Sequence, residues 1–324
     1  MKTKFFGLIG SAWGQRITFF AAIMIVMAIF QPVFFSWSNL LSILFAIAIY
    51  GIMACGMLFV VLVGGIDFSI GSMAALSACI ALTFTSHNAY SDGSVIIAIL
   101  ISLSVAIVVG VIHGLFDAVL KLPAFVVTLA TQYMLYSLAD MHIGSKYVHL
   151  TDTNNLYYAI GNLKVFSIPM PVIIFIVFAA ITAFVLTKTT FGRRLYAAGG
   201  NRRAASLVGI NTKLYTVCAY IICAVAAAIS GIVLSSMNLT ASYVTARGYE
   251  GTVMMAVVVG GVNIMGGQGS VSGVIFGALL VGVLNNVIIL LGISTDYSEL
   301  VQGVVIVAAV ALNVYGATKK RRII

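Results

Sequence analysis

The sequence predicts an all-α polytopic membrane protein with about ten transmembrane helices, glycine-broken segments and an internal repeat. Of its 324 residues, 62% are hydrophobic and 8% are charged, whereas about a quarter of the residues in soluble domains are charged. Apolar runs of about 20 residues, long enough to span a bilayer, recur along the chain. The 31 glycines and 4 prolines are typical of membrane helices that approach closely or are interrupted. We expect a single transmembrane domain over 1–324.

Each predicted span is an apolar run that ends at charged or glycine-rich residues. The run that begins at Ile17 is too long for the core of a signal peptide and has no small-residue cleavage site, so we interpret it as a retained first span. In chain order, the predicted spans are 17–36, 39–63, 68–86, 94–118, 123–141, 165–187, 214–236, 250–265, 270–292 and 298–316.

The distribution of positive charge predicts the orientation. Lys2, Lys4 and Arg16 lead the chain, and Lys319–Arg322 end it. Because cytosolic segments of membrane proteins are rich in Lys and Arg, we expect both termini in the cytosol. An even number of spans agrees with this, and it places the loop 188–213, which has six basic residues and no acidic one, on the same side. The net charge of +9 therefore reflects topology, and no nucleic-acid partner is expected.

Reactive side chains are scattered along the sequence. His113 and Asp117 are four residues apart and share a helix face, as a proton relay or half a metal site would. A structural pair is the favoured interpretation, because no further ligand is near. The remaining histidines, expected at the surface, are His87, His142 and His149. The cysteines, expected to be buried because they lie in apolar segments without a CxxC pair, are Cys55, Cys79, Cys218 and Cys223. We expect no catalytic, metal-binding or cofactor-binding residue.

Two glycine-rich segments resemble each other. VVLVGGIDFSIGS at 60–72 and AVVVGGVNIMGGQGS at 256–270 both run from valine-rich sequence through Gly-Gly to a Gly-Ser that opens another apolar helix. We interpret them as an internal repeat, which is parallel if every span crosses the membrane and inverted if one glycine turn is re-entrant. Backbone groups freed at such breaks must be buried in protein or line a polar cavity. Both segments are therefore candidates for the wall of a translocation path.

The basic loop has a specific pattern in GRRLYAAGGNRRAASLVGIN at 192–211. Gly199-Gly200 predicts a turn, Asn201 is a good N-cap, and Arg202–Val208 predicts two helical turns that Gly209 ends. A loop that only fixes the topology needs the charge but not this pattern. A short capped helix on the cytosolic side indicates a docking element.

This loop resembles that of the permease subunits of bacterial ATP-binding-cassette importers for monosaccharides, of the ribose, galactose and xylose type. The sequence departs from the family pattern after Tyr249-Glu250. There the family usually continues with a leucine, an acidic residue and small apolar residues, whereas this chain has Gly251-Thr252-Val253. It departs again near Ser137, where the family often has an arginine and a glycine. Further similar segments, in the family's order, are GGIDFSIGS at 64–72, LPAFVVTLAT at 122–131 and GGVNIMGGQGSVSGVIFGALLVGVLNN at 260–286.

The resemblance implies partners and a role for the loop. The chain would be a multi-pass protein of the bacterial cytoplasmic (inner) membrane that seats its loop in a cytosolic ATPase subunit. It would pair with a second permease copy or a paralogue and receive substrate from an extracytoplasmic substrate-binding protein. ATP would be used by the partner subunit, and this chain would bind no cofactor. The residues implied in coupling to the ATPase are Gly199, Gly200, Asn201, Arg202, Arg203, Ala204, Ala205 and Gly209.

Polar residues at the predicted helix breaks are the candidates for the translocation path. For Asp67, capping of the next helix is favoured over contact with substrate. For Glu250, a local ion pair with Arg247 is weighed evenly against contact with the substrate-binding protein or control of an outer gate. For Asn285 and Asn286, hydrogen bonds between helices are slightly favoured over contact with substrate. The candidates are Asp67, Ser69, Glu250, Asn263, Asn285 and Asn286.

Three classes of function compete. The sequence has no GxxxxGK[ST] phosphate-binding loop, so the energy for transport is expected from a partner or from an ion gradient. Few ionisable residues lie in the spans, which favours the partner over an ion-gradient-driven secondary carrier of a small polar solute. An intramembrane enzyme would need reactive groups clustered at one cavity. Within the importer class, the cargo stays open among pentoses, hexoses, furanose signals and nucleosides.

Overall fold

The computed structural model describes residues 18, 20, 21, 24, 25, 27–87, 91–153, 155–292, 297, 300, 303, 304 and 307. It therefore covers part of the first predicted span and little of the last one, 298–316. The charged termini, on which the predicted orientation partly rests, lie outside the described residues. Between the predicted spans 270–292 and 298–316, only residue 297 is described.

The regular secondary structure of the described chain is helical apart from strands of two residues each. Several helices begin where a side chain caps the first turn: Ser36, Ser91, Asn211 and Ser270 each accept a hydrogen bond from a backbone N–H three residues ahead. A 3₁₀ helix, Pro32–Phe35, precedes the first long helix. The helices are α1 (Trp37–Leu62), α2 (Ile70–His87), α3 (Asp92–Ala118), α4 (Ala124–Ile143), α5 (Leu156–Asn162), α6 (Met170–Lys188), α7 (Thr190–Gly200), α8 (Arg202–Leu207), α9 (Thr212–Asn238), α10 (Tyr249–Val259) and α11 (Val271–Leu290). The strands are β1 (Val148–His149), β2 (Lys164–Val165), β3 (Ile168–Pro169) and β4 (Thr240–Ala241).

Six helices of the described chain are long and apolar enough to cross a membrane: α1, α2, α3, α6, α9 and α11. Each coincides with a predicted span, so the multi-pass helical class is confirmed. Helix α4 has a spanning length of 20 residues but is less apolar. Helix α10 is shorter than the predicted span 250–265, because it ends at a glycine cap after 11 residues, or about 16 Å.

Helix α9 forms the centre of the assembly and packs against α1, α2 and α3. Its buried face is rich in small residues, with Ala224, Ala226, Ala227 and Ala228 all at most 2% exposed. Small side chains let neighbouring backbones approach closely, which is how helices associate without a hydrophobic driving force in lipid. The predicted burial of the cysteines is confirmed for Cys55, Cys79 and Cys223, whereas Cys218 is partly exposed.

The two ends of the helix assembly differ. At one end, which we call the strand end, β1 pairs antiparallel with β4, with Val148 opposite Ala241. The surface position predicted for His87, His142 and His149 is confirmed there. At the other end, which we call the basic end, α7 and α8 form the loop that carries four of the eight arginines of the chain.

Candidate functional site

Helix α7 begins at a Thr189 cap and ends at Gly200. The Thr189 hydroxyl oxygen accepts a hydrogen bond from the N–H of Gly192 at 3.2 Å. The predicted turn at Gly199-Gly200 is wrong, because both residues belong to α7 and the break comes at Asn201, where the backbone is extended (φ −157°). Helix α7 therefore carries its last turn directly to the start of α8.

Helix α8 forms as predicted around its cap. Asn201 Oδ1 accepts a hydrogen bond from the N–H of Ala204 at 3.0 Å. The helix covers Arg202–Leu207, one residue less than predicted, and Gly209 ends the turn with a φ of +81°. The N–H of Gly209 bonds to the carbonyl oxygen of Ser206 at 3.1 Å.

The two faces of α8 differ in exposure. Ala205 is buried, so its side chain faces the rest of the protein. Leu207 is 87% exposed and Val208 is 76% exposed. Arg203 and Ala204 are exposed as well. The outward face of α8 therefore presents an apolar tip beside a basic side chain.

Helix α7 packs against the end of α1. A Cβ atom added at Gly199 would overlap the carbonyl oxygen of Leu62, and only glycine allows this approach. Tyr196 donates a hydrogen bond from its hydroxyl to the carbonyl oxygen of Gly269 at 2.8 Å. Burial raises the pKa of Tyr196 above its ordinary value, so the hydroxyl stays protonated and remains a donor. Helix α7 thus contacts both glycine-rich segments.

The two glycine-rich segments share one geometry. Helix α1 ends where Gly64 N–H bonds to Val61 O and Gly65 N–H bonds to Val60 O. Helix α10 ends with the same pair of bonds, from Gly261 to Val258 and from Val262 to Val257. These are Schellman caps, each with a left-handed glycine just past the helix. The left-handed residue is the first glycine of the pair after α1 and the second after α10.

The two glycine-rich segments also resemble each other beyond the caps. Asp67 Oδ1 accepts a hydrogen bond from the N–H of Ser69 at 2.8 Å, and Asn263 Oδ1 accepts one from the N–H of Met265 at 3.0 Å. The two side chains therefore form the same local turn, which begins three residues after the left-handed glycine in the first segment and two residues after it in the second. The segments also touch, since Gly267 donates a backbone hydrogen bond to Leu62 at 2.8 Å. Both caps lie at the basic end, beneath α7.

Arg202 connects α8 to the first cap. Its Nη2 lies 3.2 Å from the carbonyl oxygen of Val63 and 3.5 Å from Asp117 Oδ1. The other carboxylate oxygen of Asp117 accepts a hydrogen bond from the Tyr220 hydroxyl at 3.2 Å. Asp117 is therefore shared between α8 and the central helix α9.

A buried ionisable pair lies behind this contact. His113 Nδ1 is 3.8 Å from Asp67 Oδ2, and both residues are about 1% exposed. The predicted pairing of His113 with Asp117 is wrong. Although the two residues share a helix face, His113 turns to the α1–α2 connection and Asp117 to Arg202. For Asp67, the favoured capping of α2 is not seen directly: its carboxylate accepts the N–H of Ser69 and, at 2.6 Å, the Ser69 hydroxyl, and so holds the residue just before the helix.

Glu250 lies in a cleft between α4 and the segment before α10. Its Oε1 accepts a hydrogen bond from Gln132 Nε2 at 2.7 Å. The ion pair with Arg247, one of the two evenly weighed interpretations, does not form within 4 Å, although both residues border the same cleft of about 370 Å³. The lining also includes Ser137, one position where the sequence departs from the family pattern. The complete lining is Gln132, Tyr133, Tyr136, Ser137, Tyr243, Arg247 and Glu250.

Asn285 and Asn286 lie on α11, away from this cleft. Asn286 exchanges two side-chain hydrogen bonds with Asn39 of α1, at 2.7 and 3.0 Å. Asn285 interacts with Tyr50 of α1. The favoured interpretation, hydrogen bonding between helices, is confirmed for Asn286 and stays a prediction for Asn285.

Sequence reasoning missed Gln132 and Tyr136. The available signal was the spacing of four residues among Thr128, Gln132 and Tyr136, which places polar groups on one face of an otherwise apolar helix. The structure brings Glu250 to this face and beside the first turn of α2, where its Oε2 would lie 2.5 Å from a Cβ atom on Gly71.

Fold and site together define a multi-pass helical membrane permease, with interrupted helices that meet beneath a basic surface loop. The family model described as "Branched-chain amino acid transport system / permease component" matches residues 39–310. The chain is 35% identical over 306 residues to the ribose import permease protein RbsC of Haemophilus influenzae, and the match covers 93% of this chain and 94% of that protein.

Two other relatives are sugar-transport permeases as well. The chain is 34% identical to RbsC of Bacillus subtilis, over 90% of this chain and 89% of that protein. It is 32% identical to the L-arabinose transport system permease protein AraH of Escherichia coli, over 98% of this chain and 95% of that protein. No solved structure gives a significant match. The chain belongs to the permease family of ABC-type sugar importers.

Proposed function

We propose that the chain is the membrane-spanning permease subunit of an ATP-binding-cassette importer that moves a monosaccharide or a similar small polar solute into the cytosol. A separate ATPase subunit would drive it, while the chain itself carries no ATPase site. The observation that carries the proposal is the contact of α7 and α8 with the first glycine cap, together with the contact of α7 with the connection that follows the second cap. Movement of α8 would reach α1 through Arg202 and Gly199, and the segment after α10 through Tyr196.

The outward face of α8 suits a docking role. Leu207 and Val208 expose apolar surface, and exposed apolar residues rimmed by polar ones mark protein interfaces. Arg203 lies beside them. An ATPase groove that takes this tip would hold it by apolar burial and charge, while Ala205 anchors the other face of α8 to the permease.

The orientation follows from the basic loop. If the basic end is cytosolic, α1 and α10 run toward the cytosol, and α2 and α11 run away from it. Tyr249, the first residue of α10, packs on Tyr50 in the middle of α1, with ring centroids 4.9 Å apart. The segment 242–259 would therefore cross as an irregular stretch followed by a short helix. With the two predicted outer spans, about ten crossings result, with both termini cytosolic and a parallel repeat.

Helix α4 suits the wall of the path. It exposes polar side chains, including those of Tyr133 and Ser137, and polar groups in a membrane face water or protein rather than lipid. Pairing with a second permease copy or a paralogue would enclose this face. An extracytoplasmic substrate-binding protein would deliver solute at the strand end.

The alternative is an ion-gradient-driven secondary carrier. The buried pair of Asp67 and His113 favours it, because ionisable groups inside the membrane are costly and commonly bind coupling ions. The pair's local role as a turn-forming and packing contact favours the importer.

Uptake by purified protein tests the proposal. The chain is reconstituted in vesicles with the ATPase and the substrate-binding protein encoded by adjacent genes. Uptake of labelled D-ribose, L-arabinose, D-xylose and D-galactose into the vesicles is then measured. ATP-dependent uptake of one sugar supports the importer. Uptake by the chain alone under an ion gradient, without the ATPase, would establish the carrier instead.

A further inference from the structure

The cleft between α4 and the segment 243–250 differs from the other polar clusters of the described chain. Its floor holds a carboxylate, an amide and a phenol, from Glu250, Gln132 and Tyr136. Its rim holds Arg247 and two tyrosine rings, Tyr133 at 73% exposure and Tyr243 at 38%. Groups of these types, placed around a cleft of about 370 Å³, are suited to a small polar ligand.

The hydrogen bonding at the floor is incomplete. Gln132 uses its amide to hold Glu250 Oε1, which fixes the carboxylate in one orientation. Glu250 Oε2 and Tyr136 Oη are buried without a hydrogen-bond partner among the described residues. Buried polar atoms left unpaired cost free energy, so each such atom in a native protein needs an explanation. A ligand hydroxyl that reaches the floor would provide the missing partner.

Glycine at position 71 opens the floor. Both Glu250 Oε2 and Tyr136 Oη would lie close to a Cβ atom at Gly71, at 2.5 and 3.2 Å. The first turn of α2 therefore leaves room for these two oxygens. The cleft lies at the level where α10 begins, since Glu250 is the second residue of that helix. This level is about halfway along α1, as the contact of Tyr249 with Tyr50 indicates.

We propose that this cleft binds one sugar ring on its way through the permease, with Glu250 and Tyr136 bonded to ring hydroxyls and Tyr133 or Tyr243 stacked on the apolar face of the ring. The inference rests on the proposed function and adds the residues that contact the cargo. A carboxylate accepts hydrogen bonds from neighbouring hydroxyls, a phenol donates or accepts one, and the guanidinium of Arg247 donates. An aromatic ring covers the C–H face of the sugar.

Protection from a thiol reagent tests the site without any ATPase. Ser137 is exposed on the cleft wall, so Ser137→Cys is a mild change that a small hydrophilic maleimide can reach. Thr153→Cys, exposed near the strand end, is the matched control. Labelling of the full chain in detergent is followed with D-ribose, L-arabinose, D-xylose, D-galactose or L-leucine present.

We expect one of the sugars, at several times a Kd of about 1 mM, to slow labelling of Ser137→Cys about threefold or more and to leave Thr153→Cys unchanged. Glu250→Gln and Tyr136→Phe, each combined with Ser137→Cys, should abolish the protection. Because Tyr136→Phe removes one hydroxyl only, it guards against a folding defect in the Glu250 variant. Lack of protection by every sugar, or protection by L-leucine alone, would overturn the proposal.

The experiments distinguish failure of the importer proposal from failure of the proposed sugar-binding cleft. Sugar protection without ATP-dependent uptake would keep the binding site and reject the importer. ATP-dependent sugar uptake without protection, and unchanged in Glu250→Gln and Tyr136→Phe, would keep the importer and reject this site.

Discussion

The backbone of Gly199 lies against the carbonyl oxygen of Leu62, so that helix α7 rests directly on the end of helix α1. The same carbonyl accepts a hydrogen bond from Gly267, at 2.8 Å, in the second glycine-rich segment. One backbone atom thus joins three segments: the basic loop, the first cap and the connection after the second cap. Through this junction, a movement of α7 would be passed to α1 and to the connection after α10, as the proposed coupling role requires.

The junction predicts different outcomes for two adjacent glycines. Gly199→Ala places a methyl group on the Leu62 oxygen, so α7 must shift, and we expect a loss of about 1 to 3 kcal/mol. Gly200→Ala meets nothing within 4 Å, and alanine in a helix gains about 0.5 to 1 kcal/mol over glycine. Thermal unfolding in detergent and ATP-dependent uptake measure both effects. Equal behaviour of the two variants would contradict the packing of α7 on α1.

The Asn201 cap predicts a graded series. Asn201→Ala removes the acceptor for the Ala204 N–H and should destabilise α8 by about 1 kcal/mol. Asn201→Asp keeps an acceptor oxygen and should behave like the parent chain. Hydrogen exchange over 202–208 reports the stability of α8 directly. Faster exchange in both variants would show that the amide group acts in some other way than capping.

Arg202 and Arg203 are neighbours with different surroundings. Arg202→Ala removes the contacts to Val63 and Asp117. Because its side chain is about half exposed, we expect a modest cost of about 1 kcal/mol together with reduced uptake. Arg203→Ala should leave the thermal stability unchanged and weaken docking of the ATPase alone. The test compares melting temperature with copurification of the ATPase for the two variants, and the opposite assignment of effects would refute it.

Asp67 is predicted to act through its turn. Asp67→Asn should fold normally, because Asn263 forms the same turn in the second segment. Asp67→Ala loses both bonds to Ser69 at a buried site and should cost about 1 to 3 kcal/mol. Melting curves separate the two, and uptake adds a second readout. If Asp67→Asn folds but abolishes uptake, the charge beside His113 is needed for transport, which favours the secondary carrier.

The sequence was most informative where one local rule decided the structure. The Asn201 cap, the end of α8 at Gly209 and the six apolar helices all follow from local patterns. The glycine pairs were harder to interpret, since glycine serves a turn, a left-handed cap or a close approach equally well. At Gly199 the third use applies, and it depends on Leu62, which is more than a hundred residues away.

The partners of the polar residues were less predictable from the sequence. His113 and Asp117 share a helix face, yet each finds its partner on another segment, Asp67 and Arg202 respectively. Glu250 pairs with Gln132 of α4 rather than with nearby Arg247. Helix packing decides these pairs, and sequence spacing along one helix carries no information about it.

Crosslinking from the two faces of α8 tests the central claim most directly. Leu207→Cys and Ala205→Cys are each coexpressed with the ATPase encoded by an adjacent gene. Crosslinks between the introduced cysteine and the ATPase are measured with and without ATP. Because Leu207 faces outward and Ala205 is buried, we predict a crosslink from Leu207→Cys that changes with nucleotide and none from Ala205→Cys. Absence of any crosslink from Leu207→Cys, with the fold intact, would contradict the assignment of α8 as the coupling element.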